Sequence, residues 1–223
     1  WRKIAEKMVQ SAFTAPHVTH VDEADMTALV ALRARAKAVA AERGAKLSYL
    51  PFVIKACVAA LKRFPHFNAS FDHEAGEMVL KSYYHIGFGI ATDQGLLVGV
   101  IRDADRKSIL DLARETQEVA ARVREGKATL DELTGSTFTI TNFGSLGGLL
   151  ATPIINYPEV AILGLGKLQP RAVVRDGQVV PRDMMYLALS FDHRIVDGGD
   201  AVHFTSDIIR YLESPDLLFL DAV

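Results

Sequence analysis

A helical segment with apolar side chains on nearly every face restricts the fold more than any other feature of this sequence. It begins at Ser48, in the run KLSYLPFVIKACVAALKR, and places Pro51 in its first turn, where proline is favoured. A helix that is apolar all round lies in the interior of a protein. The chain has 223 residues, enough for one large domain whose core encloses such a helix.

The rest of the chain mixes helix and strand patterns, so we expect an α/β domain. Further helices are predicted at residues 2–12, from a cap at Asp25 to about Arg43, from Ser108 to Arg124, and after Gly199 to about Glu213. Alternating apolar and polar side chains predict strands at 17–24, 78–81, 84–91, 96–101, 136–141, 160–166, 171–175, 178–181 and 187–192. Tight turns are expected at 93–95 and 176–177, and the stretch FPHFNASFD is predicted to be a loop.

The composition excludes several classes of protein. Hydrophobic residues make up 49% and charged residues 23%, which is ordinary for a globular protein, and the net charge of −2 gives no reason to expect nucleic-acid binding. No apolar run approaches the roughly 20 residues of a membrane span, and no signal peptide is visible. The one cysteine, Cys57, excludes a disulfide framework and is expected to be a reduced core residue, with a catalytic thiol as the alternative.

The stretch LALSFDHRIVDGGD, Leu187–Asp200, is the first candidate for a functional site. Its first six residues alternate as a strand, which ends at His193, and Asp197 and two glycines follow in a turn. Glycines allow close approach of the backbone, and a carboxylate near a histidine can fix its tautomer or its surroundings. The motif fits a catalytic base, and it also fits a structural histidine before an ordinary turn.

The second candidate is the stretch FTITNFGSLGG, Phe138–Gly148. Its threonines share one face of a strand that ends at Asn142, and the glycines after it let a substrate or cofactor lie along the main chain. The Thr141 hydroxyl could donate a hydrogen bond to a developing oxyanion. A threonine-rich strand with a flexible turn is the alternative. The stretch is not a phosphate loop, because the Lys-Ser/Thr ending is absent.

Other kinds of site are poorly supported by the sequence. The serine of FGSLG, Ser145, lacks the Gly-x-Ser-x-Gly spacing of a hydrolase elbow. His17 and His20 lie on a predicted strand without the further His or Cys ligands of a zinc site, so no metal is expected. Of the other histidines, His66, His73 and His85 are predicted to be loop or strand residues without partners, and His203 is predicted to be a helix residue.

Several long motifs in a fixed order indicate a family. The chain contains, in sequence, RKIAEKMVQS, TAPHVTHVDEADMTALVALR, KLSYLPFVIKA, FPHFNAS, GLLVGVIRDADRKSI, STFTITNFGSLGGLLATPIINYPEVAILGLGK and SFDHRIVDG. Over essentially its whole length it resembles the catalytic domain of the dihydrolipoamide acyltransferases, the core enzymes of the 2-oxo acid dehydrogenase complexes. Chloramphenicol acetyltransferase shares their fold, so the resemblance implies a mixed β-sheet with helices packed on it. The implied reaction moves an acyl group between coenzyme A and the dihydrolipoyl group carried on a separate lipoyl domain.

The resemblance also assigns roles to residues. His193 would take the proton of a thiol whose pKa is ordinarily about 8.5, because the thiolate is the nucleophile. Thr141 would stabilise the oxyanion, at a position where the family usually has serine. Asp197 would shape the loop and the local field. Coenzyme A would contact Arg33, Ser48, Thr141, Asn142, Gly166 and the backbone at Leu168. Guanidinium pairs well with phosphate, although a solvated helix face would also explain Arg33.

The resemblance further implies trimers with the active site between subunits, so that His193 and Thr141 come from different chains. The homotrimers would assemble into a cubic or icosahedral core, with the apolar tail Leu217–Leu220 as an anchor between trimers. Residues 1–223 would form one acyltransferase domain, with lipoyl and peripheral subunit-binding domains upstream. The expected partners are the lipoyl domain and the decarboxylase and dihydrolipoamide dehydrogenase components, in bacterial cytoplasm or the mitochondrial matrix.

The acyl group is expected to be acetyl, as in a pyruvate dehydrogenase complex. A branched-chain acyl group is the alternative, because KLSYLPF and FPHFNASFD also resemble the branched-chain enzymes. A non-catalytic scaffold and an antibiotic acetyltransferase are two further alternatives. The intact His193, Asp197 and Thr141 argue against the first, and the full-length match argues against the second.

Overall fold

The computed structural model describes residues 2–93 and 95–220. They form one seven-stranded sheet, one two-stranded sheet, and helices packed against the larger sheet. The elements in chain order are α1 (Arg2–Thr14), β1 (His17–Asp25), α2 (Thr27–Glu42), α3 (Leu50–Arg63), β2 (Ala69–Asp72), β3 (Glu77–Leu80), β4 (Ile86–Thr92), β5 (Gly95–Ile101), α4 (Ile109–Arg124), β6 (Phe138–Asn142), β7 (Ala161–Leu165), β8 (Gln169–Arg175), β9 (Gln178–Asp192), α5 (Gly198–Glu213) and α6 (Leu217–Leu220).

The large sheet is mixed. Its strand order is β1-β9-β7-β6-β4-β5, and β8 pairs with the first half of β9. The pairs β4–β6 and β6–β7 are parallel, and the other pairs are antiparallel. The predicted α/β fold with a mixed sheet is therefore confirmed.

One face of this sheet packs on the helices and forms the core. Alternate residues of β6 and β9, among them Phe138 and Phe191, are fully buried there, as the period of two in a strand requires. The helix α3 is buried along most of its length, which confirms the prediction from its apolar pattern. Cys57, on this helix, is a free and fully buried thiol, and burial raises its pKa. Cys57 is therefore a reduced core residue, as predicted.

The other face of the sheet is covered only in part, by α1 and by residues 151–156. Ser11 of α1 donates a hydrogen bond to the Ile155 carbonyl at 2.6 Å, which joins these two covering segments. Ala15, Ile155 and Ile162 form a small apolar cluster beneath them. On this face β6 presents Thr139 and Thr141, and β7 has Gly164 opposite Thr141, which leaves room for a site there.

Two predicted helix starts need correction, and one is confirmed. Ser48 lies exposed in the loop before α3, whose cap position is Tyr49. Asp25 is the last residue of β1 and stands one residue before the cap of α2, although its Oδ1 still accepts the Thr27 N–H at 3.1 Å. Ser108 caps α4 as predicted, because its hydroxyl oxygen accepts the N–H of the third helical residue at 3.1 Å.

The predicted loop FPHFNASFD is wrong in its second half. Ala69–Asp72 forms β2, which pairs with β3, and Ser70 also bridges to Glu159. Four residues contain too few alternations to indicate a strand, so this one depends on its pairing with β3 and on the bridge to Glu159.

The two strands predicted at 178–181 and 187–192 are one continuous strand, β9. Polar residues interrupt its pattern, but Arg182 lies 3.3 Å from the Asp25 carboxylate, and the Asp183 carbonyl accepts the Met26 N–H. Of the turn predicted at 93–95, residue 94 lies outside the described residues. None of the described helices combines the length and the apolar character needed to cross a membrane.

Candidate active site

His193 is the first residue after β9, and the sheet fixes its backbone. The strand β9 lies between β1 and β7, and the His193 N–H donates a hydrogen bond to the Pro16 carbonyl at 2.9 Å. The side chain is exposed, and its ring lies 5.9 Å from the ring of Phe191. The structure therefore presents an imidazole from a well-anchored point of the main chain.

The residues on both sides of His193 form an ion pair that strengthens this anchor. Asp192 is buried, and its two carboxylate oxygens accept hydrogen bonds from Nε and Nη2 of Arg194 at distances between 2.6 and 3.1 Å. The hydrogen bonds to this carboxylate raise the pKa of Arg194. The guanidinium also lies 4.8 Å from the centre of the Phe71 ring. This two-pronged pair allows the turn at His193 little freedom.

Asp197 is the cap residue of α5. Its Oδ1 accepts the Asp200 N–H at 2.8 Å, and a side chain on Gly199 would stand 3.3 Å from the same oxygen. In the described part of the chain, no hydrogen bond or ion pair joins Asp197 to His193. Within one chain, therefore, this carboxylate shapes the turn and the helix start and does not contact the imidazole.

Thr141 lies on β6 and faces a cavity on the sparsely covered side of the sheet. The cavity has a volume of about 520 Å³ and lies between α1, the ends of β4 to β7 and residues 151–156. Its wall is mostly apolar and includes Met8, Leu96 and Phe143, and its polar side chains are those of Thr139, Thr141 and Asn156. A chamber of this kind suits a small apolar group with one polar centre.

A pair of glycines brings two further predicted residues next to Thr141. Asn142, at the end of β6, accepts the Ser145 N–H at 3.0 Å through Oδ1 and so shapes the glycine-rich turn. A side chain on Gly144 would stand 2.0 Å from the Gly166 carbonyl oxygen, so only glycine permits this approach. Thr141, Asn142 and Gly166 therefore lie together where β6 and β7 end.

Arg33 and Ser48 form a separate group. The Arg33 Nε donates a hydrogen bond to the Leu47 carbonyl at 2.9 Å, and its guanidinium lies 4.8 Å from the centre of the Tyr49 ring. Its terminal nitrogens have no protein partner among the described residues. Ser48 follows Leu47 and is exposed, whereas Leu168 is partly buried against the main core. One nitrogen of the Arg33 guanidinium is thus hydrogen-bonded to the main chain, and the two terminal nitrogens are without a partner in the described part of the chain.

The register places Thr141 and His193 at opposite ends of the sheet. On β7, Thr141 pairs with Gly164, whereas Phe191 pairs with Ala161, and His193 lies two residues further away from Thr141. Five residues of strand are roughly 16 Å, and two strand spacings add roughly 10 Å across the sheet. One chain therefore does not bring the two side chains together.

Glu159 was not predicted from the sequence as a site residue. This side chain is only 5% exposed, and burial raises its pKa to about 7 against the hydrogen bonds that it accepts. The signal in the sequence was a single carboxylate directly before the apolar run VAILGLG, where a charged residue is costly. A buried carboxyl of raised pKa beside a cavity is a candidate functional group.

The histidine predictions are partly wrong. His17 bonds on both ring nitrogens, to the Ala15 carbonyl at 2.6 Å and to the Ile155 N–H at 3.0 Å, so it joins β1 to the segment that covers the cavity. His66 and His85, predicted to have no partners, lie 3.4 Å and 3.8 Å from aspartate carboxylates. Across residues 2–93 and 95–220, no three His, Cys, Asp or Glu side chains are grouped to hold a metal ion.

Comparison with known proteins connects this geometry to one family. The model of the family described as 2-oxoacid dehydrogenases acyltransferase (catalytic domain) matches residues 1–220. The dihydrolipoyllysine-residue acetyltransferase component of pyruvate dehydrogenase complex from Staphylococcus aureus is 50% identical over 220 residues, which are 99% of this chain and 51% of that protein. The chain thus spans about half the length of the curated relatives it matches.

Solved structures resemble the whole fold. A dihydrolipoamide acetyltransferase from Azotobacter vinelandii, studied for the catalytic roles of one serine, one histidine and one asparagine, gives a TM-score of 0.95 at 42% identity, over 98% of this chain and 90% of that chain. A cubic core of the pyruvate dehydrogenase multienzyme complex gives 0.94 at the same identity and coverage. Chloramphenicol acetyltransferase gives 0.54 at 17% identity over 96% and 94%, which confirms the predicted fold alone.

Proposed function

Because the chain belongs to the family of 2-oxoacid dehydrogenase acyltransferase catalytic domains, we propose that it transfers an acetyl group between coenzyme A and the dihydrolipoyl group of a lipoyl domain. The acetyl group is favoured by the 50% identity to an acetyltransferase component of pyruvate dehydrogenase complex. The supporting observation in the structure is the pair of Thr141, facing a largely apolar cavity, and His193, anchored and exposed at a strand end.

The residue spacing supports these roles. In the Azotobacter vinelandii enzyme, the serine and the histidine studied for catalysis are as far apart in sequence as Thr141 and His193 are here, and the asparagine follows the histidine as Asp197 follows His193. Threonine keeps the hydroxyl of serine. Aspartate keeps one oxygen acceptor of asparagine, and here that oxygen caps α5. We therefore assign Thr141 and His193 to catalysis and Asp197 to the shape of the turn.

The chemistry follows from the two side chains. His193 removes the proton of the attacking thiol, and the thiolate adds to the thioester carbonyl of the acetyl donor. The tetrahedral intermediate has a negatively charged oxygen, which accepts a hydrogen bond from the Thr141 hydroxyl. The intermediate collapses with cleavage of the original carbon–sulfur bond, and the protonated His193 returns its proton to the departing thiolate.

Since one chain holds the two side chains at opposite ends of its sheet, the proposed site needs two subunits. His193 of one subunit would approach the cavity beside Thr141 of another, which fits a homotrimer with three equivalent sites. Trimers would assemble further, as in the cubic core that this chain resembles. The proposed partners of that core are the lipoyl domain and the decarboxylase and dihydrolipoamide dehydrogenase components.

The proposed function is tested by mixing the protein with acetyl-CoA and free dihydrolipoamide and measuring the formation of acetyl-dihydrolipoamide. A panel with branched-chain acyl-CoA donors distinguishes the alternative substrate. Chloramphenicol as acceptor distinguishes an antibiotic acetyltransferase. An assembled particle that transfers no acyl group to either acceptor would be a scaffold, and the proposal would be wrong.

Replacing Arg33 should change the KM for coenzyme A and no other kinetic constant. If its two open nitrogens bind a phosphate, Arg33→Ala should raise the KM for coenzyme A and leave the KM for dihydrolipoamide unchanged. Arg33→Lys should recover only part of the effect, because lysine lacks the planar fork. Initial rates with each substrate varied in turn give both constants. A similar rise in both would indicate a folding defect of the loop around Leu47.

The apolar tail divides into two parts in the structure. In α6, Leu218 is 4% exposed and packs in the core of its own chain, whereas Phe219 and Leu220 are 66% and 76% exposed. Residues 221–223 lie outside the described residues. The tail is therefore neither wholly a core cover nor wholly an anchor, and only its last two described residues are free to bind a neighbouring trimer.

Replacing Phe219 and Leu220 together by aspartate should release active trimers from the large particle. Each buried Phe or Leu contributes about 1.5–3 kcal/mol, and symmetry repeats the contact many times per particle. Analytical ultracentrifugation measures the size, and the acetyl-transfer assay measures the activity. Leu218→Ala is the control, since it should lower the free energy of unfolding by about 2–5 kcal/mol without dissociating the particle. If the double aspartate variant keeps its full size, α6 is not the anchor.

A further inference from the structure

Glu159 lies in a hydrogen-bond network at the edge of the cavity that Thr141 faces. Its Oε1 accepts hydrogen bonds from the Thr139 hydroxyl at 2.9 Å, from the Asn156 Nδ2 at 2.8 Å, and from the Ser136 hydroxyl. Lys7 of α1 donates a hydrogen bond to the Asn156 Oδ1 at 2.7 Å. The other carboxylate oxygen of Glu159, Oε2, is buried and has no hydrogen-bond partner among the described residues.

This network controls the polar part of the cavity wall. Besides Thr141, the polar side chains that line the cavity are Thr139 and Asn156, and Oε1 of Glu159 accepts a hydrogen bond from each. Thr139 and Thr141 lie two residues apart on β6 and face the same side of the sheet. A displacement of the β6 backbone at Thr139 therefore also displaces the Thr141 hydroxyl. Glu159 itself does not line the cavity, so any effect on the reaction passes through its neighbours.

The cost of this arrangement argues against a purely structural role. A buried carboxylate is expensive, and an apolar residue of similar size would give a more stable core. Here three donors converge on one oxygen while the other is left without a partner, which favours function over stability. Groups of this kind cluster at sites that need a fixed geometry.

We propose that Glu159 is a positioning residue for acyl transfer, whose ionised carboxylate holds Thr139 and Asn156 and thereby the cavity wall at Thr141. This inference rests on the proposed acyltransferase function. An ionised acceptor forms stronger hydrogen bonds than a neutral one, so the wall is held best when Glu159 is deprotonated. A displacement of about 1 Å at Thr141 is enough to slow a reaction that depends on aligned donors by about 100-fold.

The surroundings give the pH range. Burial raises the pKa of Glu159 from 4.5 to about 7, and the hydrogen bonds and the charge of Lys7 partly oppose this shift. Nearby on β1, His17 bonds to the backbone of Ile155, and at the end of β9 Asp192 is paired with Arg194. Lys7 is therefore the charged side chain that acts on Glu159 from the elements packed around it.

Linkage fixes the sign of the effect on stability. The folded-state pKa is above the unfolded value, so the stability that Glu159 contributes is fully present below about 4.5 and is lost as the pH rises through about 7. The melting temperature of Glu159→Gln, minus that of the wild type, should therefore rise from pH 4.5 to pH 7 and then level off. This difference reports the titration of Glu159 independently of activity.

The activity should also follow the titration of Glu159, but it should rise as the carboxyl loses its proton, whereas the stability falls. The wild-type kcat/KM divided by that of Glu159→Gln should fall about two- to threefold from pH 8 to pH 6, from about three toward one, because protonated Glu159 is a neutral acceptor like the glutamine amide. At pH 8 the Gln variant should retain about a third or more of the wild-type value, because its amide oxygen still accepts, whereas Glu159→Ala should lose activity at every pH. Dividing by the variant removes the pH dependence that the other groups of the reaction contribute to both proteins.

Glu132→Gln is the matched control. The Glu132 carboxylate also accepts several hydrogen bonds, from Arg122 and Thr129, but it is not among the residues that line the cavity. The wild-type kcat/KM divided by that of Glu132→Gln should therefore stay constant with pH. If the wild type transfers acetyl groups and the ratio for Glu159→Gln is also constant, Glu159 is only structural and the inference is wrong. A wild type that transfers no acyl group would overturn the proposed function first, and the inference with it.

Discussion

Replacing His193 by alanine should lower the rate constant for acetyl transfer by about 100-fold or more, the usual scale for a lost general base. The ring is exposed, and its backbone is held by Pro16 and by the pair of Asp192 and Arg194, so the substitution removes the imidazole without disturbing the fold. Light scattering should show an unchanged particle. His203→Ala, which removes another exposed histidine from α5, is the control and should keep full activity.

The position of His193 allows a sharper form of this test. If His193 and Thr141 meet across a subunit boundary, His193→Ala and Thr141→Ala chains should restore activity when they assemble together. Random mixing would give about a quarter of the sites an intact residue from each chain. No recovery in mixed trimers would mean that both residues act within one chain. Near-normal turnover of His193→Ala alone would exclude it as the base.

Local patterns predicted the elements whose structure depends on their own residues. The apolar helix α3 is buried because nearly every face of it must be, and Ser108 caps α4 through a hydrogen bond only three residues long. His193 follows a strand whose alternation is visible in six residues. Each of these signals spans only a few residues and follows from the geometry of a single helix or strand.

Features that depend on distant contacts could not be predicted in this way. The strand β2 is bridged to Glu159, and Arg182 of β9 lies beside a carboxylate of β1. The buried position of Glu159 results from donors on β6 and on the loop before β7. Apart from Asn156, which precedes Glu159 by three residues, these partners lie at least 20 residues away in the sequence, so a local pattern does not contain them.

For the candidate site, too, the sequence predicted which residues take part but not where they lie relative to one another. Resemblance to a family selected Thr141 and His193, and the spacing of the residues studied in the Azotobacter vinelandii enzyme supports that choice. Only the register of β6, β7 and β9 places the two residues at opposite ends of the sheet. The proposal of a site between two subunits, which the family resemblance implied, therefore has an independent argument in the geometry of one chain.

Replacing Thr141 by alanine should cost about 2.7–4 kcal/mol of transition-state stabilisation, or about 100- to 1,000-fold in the rate constant, as for other lost oxyanion donors. The residue is half-buried beside the cavity, and its hydroxyl is packed over Gly89, where a side chain would stand 3.1 Å from the Thr141 Oγ1. The KM values should change little, because the donor acts on charge that develops only during the reaction.

Thr141→Ser is the variant that separates the hydroxyl from the methyl group. Serine keeps the donor but loses the methyl that helps to fix the rotamer, so most of the activity should remain. Thr141→Val provides the opposite change, since it keeps the shape of threonine without the hydroxyl, and it should be as slow as the alanine variant. Single-turnover rates of the three variants at saturating substrate measure the chemical step directly. If serine and alanine give equal rates, Thr141 does not stabilise the oxyanion, and the donor must be sought in the backbone that surrounds the cavity.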